Sequence, residues 1–179
     1  MDVKVPMLAL TYRIEQIIEE IGHGLAWLVF VMMLCVCATV LLRSGFHQGH
    51  IALQESVTYC HAALFMIGAS FALKHDAHVR VDVFYQRMSP RTQHWVNALG
   101  IICFLFPMTA FIALNSLGFV DASWAIRETS ADPGGLPFVY LLKTLIPLMA
   151  AMLFIQGMCL LTRHTASLMG MTPDGNAHD

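Results

Sequence analysis

Two side chains that are charged at neutral pH, one acidic and one basic, lie inside apolar stretches, where a charge is costly unless it is paired or reaches water. At 1.5 Å per residue, Glu55 lies about 4 Å inside the second stretch and Lys143 about 10 Å inside the fourth, from the same side. An acid and a base at these depths predict an interhelical Glu55–Lys143 ion pair. Two interpretations stay open beside it. Lys143 extends to the membrane surface, because helical side chains lean toward the amino-terminal end, or it serves substrate or ion passage.

The nine histidines raise the question of haem, which membrane cytochromes bind through paired histidines on helices. His61 is the one histidine well inside an apolar stretch, and it is too far from His23 and His94, at the opposite membrane face, to share an iron. His75 and His78 are spaced for one helical face but lie in a basic loop. We therefore predict no metal, no cofactor, no catalytic residue and no enzymatic activity. A haem- or quinone-linked anchor subunit of a respiratory enzyme is the alternative.

The five cysteines all fall inside apolar stretches, unlike the polar loop spacings of zinc sites and disulfide frameworks. Cys35 and Cys37 would point roughly 200° apart on a helix, so they cannot chelate one metal ion. The pattern predicts free thiols that pack as small apolar side chains.

The composition indicates a protein surrounded mostly by lipid. Hydrophobic residues make up 57% of the 179 residues and charged residues 12%, whereas a soluble domain carries about 25% charged residues. No basic run resembles a nucleic-acid footprint, which excludes that class of partner.

Four apolar stretches are each long enough to cross a hydrocarbon core, which takes about 20 residues. They cover approximately residues 22–42, 53–73, 95–117 and 136–161. Because lipid offers no hydrogen-bond partner to the backbone, each must be helical. The prediction is an all-α polytopic membrane protein with four transmembrane helices, a single domain over residues 1–165 and a polar, disordered tail over 166–179.

The distribution of basic residues predicts that both termini are cytoplasmic. The side that holds the termini and the middle loop carries seven: Lys4, Arg13, Lys74, Arg80, Arg87, Arg91 and Arg163. The other side carries two, Arg43 and Arg127. No span has a polar stripe that would line a path, which disfavours a stand-alone channel or transporter.

Helical spacing of apolar residues predicts two short amphipathic helices at the membrane surface. One precedes the first span, lying at the interface or continuing that span, with Ile14, Ile17, Ile18 and Ile21 opposite Glu15, Glu19 and Glu20. The other lies in the middle loop, with Val81, Phe84, Tyr85 and Met88 on its apolar side. Ser89 and Pro90 predict the start of the next helix, and Asp132-Pro133-Gly134-Gly135 predicts a turn.

The chain resembles the small membrane subunit, DctQ type, of tripartite ATP-independent periplasmic (TRAP) transporters over about residues 15–165. The resemblance rests on Gln54-Glu55-Ser56, Gly68-Ala69-Ser70-Phe71-Ala72-Leu73, Lys74, His78-Val79-Arg80-Val81-Asp82 and Val83-Phe84. Glu128-Thr129-Ser130, Gly135-Leu136-Pro137 and Ile146-Pro147 are also similar. Gln54 departs from the aromatic or acidic residue that many members carry there.

The resemblance implies a subunit of a sodium-coupled secondary transporter for organic acids in the bacterial inner membrane. Its partners would be a large permease subunit, which carries the substrate and sodium sites, and a periplasmic substrate-binding protein. The small subunit would enlarge the fixed scaffold, so no transport residue is carried over. The residues expected at the subunit interface or the membrane surface are Lys74, His78, Arg80, Asp82, Phe84, Tyr85 and Arg87.

Overall fold

The computed structural model of the protein describes residues 4–75 and 85–169, with side chains from residue 10 onward. These ranges are helical and contain no strand, and four helices in them are long and apolar enough to cross a membrane. The predicted all-α fold with four membrane-spanning helices is confirmed.

The helices are α1 (Lys4–Phe46), α2 (Ile51–Lys74), α3 (Pro90–Gly100), a π-helical segment (Ile101–Leu105), α4 (Phe106–Ala125) and α5 (Val139–Leu168). The π-helical segment joins α3 and α4 into one continuous third span. We call the end of the bundle where α1 begins and α5 ends the terminal face, and the opposite end the loop face. As predicted, Ser89 caps α3: its hydroxyl accepts a hydrogen bond from the Thr92 N–H at 3.3 Å.

Helix α5 is the centre of the bundle, since it contacts α1, α2, α3, the π-helical segment and α4. Its inward face includes Ala150 and Gly157, and both are buried. The buried face of α4 repeats small polar residues at heptad spacing, Thr109, Ser116 and Ser123. Small side chains at such spacing allow two helices to approach closely in lipid, where packing rather than water exclusion drives association.

The π-helical segment lies just before Pro107, which has no N–H to donate to the carbonyl of Cys103. One residue earlier, the backbone N–H of Phe106 bonds to the carbonyl of Ile101, five residues back, and not to one four residues back as in an α-helix. This wider turn packs against Gly157 of α5, where an added Cβ would lie 2.6 Å from Leu105 Cδ2. A larger residue at this position would force the Leu105 side chain to move where the third span touches α5.

The predicted lead-in helix is continuous with the first span, and α1 extends over 43 residues, or about 65 Å. The side of this helix that packs against the bundle carries both types of residue, since Ile18 is 5% exposed and Glu15 also faces inward. Ile17 is 57% exposed, whereas the Glu15 side chain is 13% exposed. The carboxylates of this part of α1 face the other helices because their basic partners lie there. Part of its apolar side faces outward, as suits a helix in contact with lipid.

Close approach of α1 and α2 occurs at Gly22, where an added Cβ would overlap the ring of Phe71. Gly68, by contrast, has open space around its Cβ position. At the carboxyl end, α5 continues to Leu168, three residues into the predicted tail. Residues 170–179 and residues 76–84, which include the first half of the predicted middle-loop helix, lie outside the described residues.

Candidate functional site

A polar cluster at the loop face joins α2, α4, α5 and the connection between α4 and α5. We define this loop-face cluster as Glu55, Ser123, Glu128, Ser130 and Lys143. Glu128 forms an ion pair with Lys143 and accepts a hydrogen bond from the Ser123 hydroxyl at 2.6 Å. The Lys143 ammonium also lies 3.9 Å from the centre of the Phe119 ring, a cation–π contact.

The charge of Glu128 is stabilised by its neighbours. Hydrogen bonds from Lys143 and from Ser123 lower the pKa of this carboxyl below its ordinary value of 4.5, against a smaller opposing effect of burial. The carboxylate therefore stays ionised in mildly acidic solution. Its ion pair with Lys143 holds the connection against the start of α5.

The predicted Glu55–Lys143 pair is wrong. Glu55 accepts hydrogen bonds from the Ser130 hydroxyl and, at 2.5 Å, from the backbone N–H of Leu136. Two donors of the connection thus satisfy Glu55, while the nearer acid, Glu128, satisfies Lys143. The connection between α4 and α5 supplies partners to both charged groups, so each is paired without reaching the other.

The connection itself is shaped to present those partners. The Ser130 N–H bonds to the Leu136 carbonyl at 3.1 Å, and the predicted turn forms with a Gly135 N–H bond to Asp132 at 3.0 Å. Gly134 has a φ of 84°, which favours glycine. A Cβ on Gly135 would collide with the Ser130 side chain and come within 2.7 Å of Glu55 Oε1.

A second polar cluster joins α1, α2 and α5 at the terminal face. We define this terminal-face cluster as Glu15, Glu19, Lys74, His75 and Arg163. Lys74 forms an ion pair with Glu19 and donates to the Glu15 carbonyl at 2.9 Å. His75 Nε2 lies 2.9 Å from Glu19, and Arg163 lies 3.2 Å from the Glu15 carboxylate. The two glutamates of α1 thus bind basic groups of α2 and α5.

A cavity of about 600 Å³ lies beside this cluster, between α2, α3 and α5. Its wall includes Lys74 and Arg163, both already paired with acids of α1, and the histidines His94 and His164. The Nδ1 atoms of those histidines lie 3.0 Å apart, a hydrogen-bond distance at which one ring donates and the other accepts. Within the described residues, no group of three or more His, Cys, Asp or Glu could hold a metal ion.

The other predicted interface residues are distributed as follows. Lys74 belongs to the terminal-face cluster, Tyr85 accepts a hydrogen bond from Asn97 at 2.8 Å, and Arg87 is exposed. The remaining four, His78, Arg80, Asp82 and Phe84, lie outside the described residues. His23 and His61 are exposed, and the five cysteines are free thiols.

Three acids that organise the clusters were not singled out from the sequence: Glu15, Glu19 and Glu128. The spacing of Glu15 and Glu19, one helical turn apart, was the available signal for the terminal face. Glu128 contributed only to the family resemblance. Its distance from Lys143, 15 residues along the chain, gave no periodic signal.

Two large side chains of the described residues, Tyr59 and Gln156, have buried polar atoms without a hydrogen-bond partner. Gln156 of α5 is fully buried, and neither of its amide atoms has a hydrogen-bond partner among the described residues. The buried Thr109 and Ser116 donate to carbonyls of their own helix at 2.8 and 3.0 Å. The described interior therefore offers no continuous polar path.

Comparison with known families decides the class of protein. Residues 32–166 match the family described as tripartite ATP-independent periplasmic transporters, DctQ component. The chain belongs to the DctQ family. It is a small membrane subunit of a TRAP transporter and not an enzyme, which confirms the resemblance and removes the respiratory-anchor alternative. No curated protein and no solved structure matches the chain. The DctQ family works within transporters that also contain a large permease subunit and a substrate-binding protein.

Proposed function

We propose that this DctQ subunit is a rigid brace for the fixed scaffold of a sodium-coupled organic-acid transporter. The observation that carries the proposal is the pair of polar clusters at opposite ends of the bundle. The loop-face cluster ties α2 to α4 and α5, and the terminal-face cluster ties α1 to α2 and α5. Helices tied at both ends suit a part that stays still while another part moves.

The interior supports the same assignment. Charged side chains in the described residues lie at the two ends of the bundle, where they are paired or near water. A transport pathway needs polar groups that bind and release a substrate along its length. The buried hydroxyls of Ser70, Thr109 and Ser116 instead donate to carbonyls of their own helices. The substrate and sodium sites therefore belong to the large subunit in this proposal.

The proposal includes an orientation, with both termini in the cytoplasm of a bacterium and the chain in its inner membrane. It rests on the excess of lysine and arginine on the terminal face. Fusions to the carboxyl terminus test it: a green fluorescent protein fusion should fluoresce and an alkaline phosphatase fusion should be inactive. The reverse pattern would overturn the orientation.

The surface residues of the middle loop keep their predicted role within this proposal. Exposed Arg87 and partly exposed Tyr85 suit contact with anionic headgroups or with the partner subunit. Lys74, held by Glu19, acts from inside the bundle and positions the start of that loop. His78, Arg80, Asp82 and Phe84 are proposed to share the same surface.

Uptake into proteoliposomes tests the bracing role. Vesicles containing this subunit alone, the large subunit alone, or both are supplied with the binding protein, a labelled organic acid and an inward sodium gradient. We expect sodium-dependent uptake with both subunits and none with this subunit alone. Uptake by this subunit alone, or equal uptake by the large subunit without it, would contradict the proposal.

A further inference from the structure

The exposed face of α2 is a narrow stripe made mostly of polar residues. The exposed residues of this helix are Gln54, Thr58, His61 and Phe65. Their spacings of four, three and four residues place them on one face. We call these four residues the α2 stripe.

The α2 stripe reaches deep into the hydrocarbon region. His61 follows Ile51, the start of α2, by ten residues and precedes Lys74, its end, by 13, or about 15 and about 20 Å. Neither interface is within reach of a short imidazole side chain. The ring of His61 has no hydrogen bond to any of the described residues. An imidazole in this position is costly in contact with lipid tails, because they offer it no hydrogen-bond partner.

The exposed faces of α1 and α5 differ from it. The outward side of α1 presents Trp27, Phe30 and Leu34, and that of α5 presents Leu148 and Ile155. These side chains suit direct contact with lipid. The contrast singles out α2 as a face that requires a protein partner.

One other exposed polar side chain lies at a comparable depth. Asn115 precedes Ala125, the end of α4, by ten residues, so it lies about 15 Å from the loop face. Its amide donates to the carbonyl of Phe111 at 2.8 Å. Asn115 thus has a donor satisfied within its own helix, unlike the imidazole of His61.

We propose that the α2 stripe is the surface on which the large permease subunit docks, through a transmembrane helix that presents a hydrogen-bonding side chain to His61. The inference rests on the proposed function. The depth of His61 decides the occupant, because a substrate-binding protein in the periplasm cannot reach about 15 Å into hydrocarbon, and the large subunit crosses the membrane. Its helix would also cover Thr58 and the Phe65 ring.

Site-specific photocrosslinking in the assembled complex tests the proposal. A benzophenone amino acid is placed at His61 or Thr58 in a tagged chain that is co-expressed with the large subunit. The matched control places it at Phe30 of α1, an exposed position on the lipid-facing side. We expect adducts with the large subunit from both α2 positions and none from Phe30. Adducts with a second copy of this chain, or with lipid alone, would overturn the proposal.

A competition experiment measures how much the α2 stripe contributes to binding of the large subunit. The double variant T58V/H61L competes with the wild-type chain for the large subunit, and N115L is the matched control for loss of an exposed polar group. Interhelical hydrogen bonds in membranes contribute about 0.6 to 1.7 kcal/mol each. We expect the affinity of the double variant for the large subunit to be about three- to twenty-fold lower than that of the wild-type chain. The affinity of N115L should equal that of the wild type. Loss of competition by N115L alone would place the contact on the third span instead.

The proposed function and the proposed docking surface can be contradicted separately. If the wild-type chain does not co-purify with the large subunit, the proposed function is wrong and the docking surface falls with it. If the wild-type chain co-purifies but crosslinks only from Phe30, the function stands and the α2 stripe is not the interface. Because His61 and Thr58 are exposed in the isolated chain, the thermal midpoint of the unassembled double variant should match that of the wild type.

Discussion

Lys143 at the start of α5 pairs with Glu128, which also accepts a hydrogen bond from Ser123 near the end of α4. One carboxylate thus joins the two helices that flank the connection. Glu55 of α2 binds the same connection from the other side, through Ser130 and Leu136. The connection is held at both ends by buried or partly buried polar contacts, which is why the loop face of the subunit is expected to be rigid.

Charge reversal tests which acid partners Lys143. Glu128→Lys and Lys143→Glu should each lower the midpoint of thermal unfolding in detergent, because each leaves a like charge beside its partner. The double variant E128K/K143E should recover much of the loss. The combination E55K/K143E is the control and should show no recovery, because Glu55 bonds to Ser130 and Leu136. Recovery by the Glu55 combination instead would contradict the observed pairing.

Acidification should remove the contribution of Glu128 to stability. Its pKa is lowered from 4.5 in the folded chain, so the contribution is complete above 4.5 and is lost as the pH falls through the lower folded value. The stability difference between the wild type and E128Q should therefore be constant near neutral pH and shrink below 4.5. K143M, which removes the main cause of the lowered pKa, should shrink that difference near neutral pH. A difference that grows on acidification would contradict this account.

Gly22 and Gly24 form a matched pair for testing the α1–α2 contact. Gly22→Ala should destabilise the bundle by about 1 to 3 kcal/mol, as overpacking does, because the new methyl group would overlap the Phe71 ring. Gly24 has open space at its Cβ position, so Gly24→Ala should be neutral or stabilise by up to about 1 kcal/mol. Adding Phe71→Leu to Gly22→Ala should recover part of the loss. Equal effects of the two alanine substitutions would show that α1 and α2 do not touch there.

Gln156 offers a gain in stability. Replacing its buried amide by the similarly shaped side chain of methionine removes two polar atoms that have no partner among the described residues. An unsatisfied buried polar group costs about 1 to 3 kcal/mol, so Gln156→Met should raise the thermal midpoint. Gln93→Met is the control, since the Gln93 amide donates to Tyr85 and Met88 at 3.1 and 3.3 Å and its loss should lower the midpoint. A lower midpoint for Gln156→Met would show that the amide has a bound partner.

The fold followed from the sequence because lipid imposes one simple rule, that each long apolar stretch is helical. The contacts that the ends of those helices make were harder to predict from the sequence. The amphipathic pattern before the first span gave the correct helix but not its inward side, which carries both buried Ile18 and the acids Glu15 and Glu19.

The loop-face cluster could be predicted only in part. Glu55 and Lys143 were recognised because charges inside apolar stretches are conspicuous. Their partners depend on the path of the connection, where a positive φ at Gly134 and a bond from Ser130 to Leu136 fold the loop over Glu55. No periodicity encodes such a path. The same holds for the α2 stripe, whose exposure becomes visible only once α1 and α5 are packed against α2.

Co-purification measures the central claim most directly. A tag on this chain, co-expressed with the untagged large permease subunit and extracted in mild detergent, should retain that subunit at a fixed ratio of one to one. K143E, which breaks the loop-face cluster, should retain less of it at equal expression, while G24A should retain the wild-type amount. Purification of the tagged, folded chain without the large subunit would contradict the assignment as a bracing subunit.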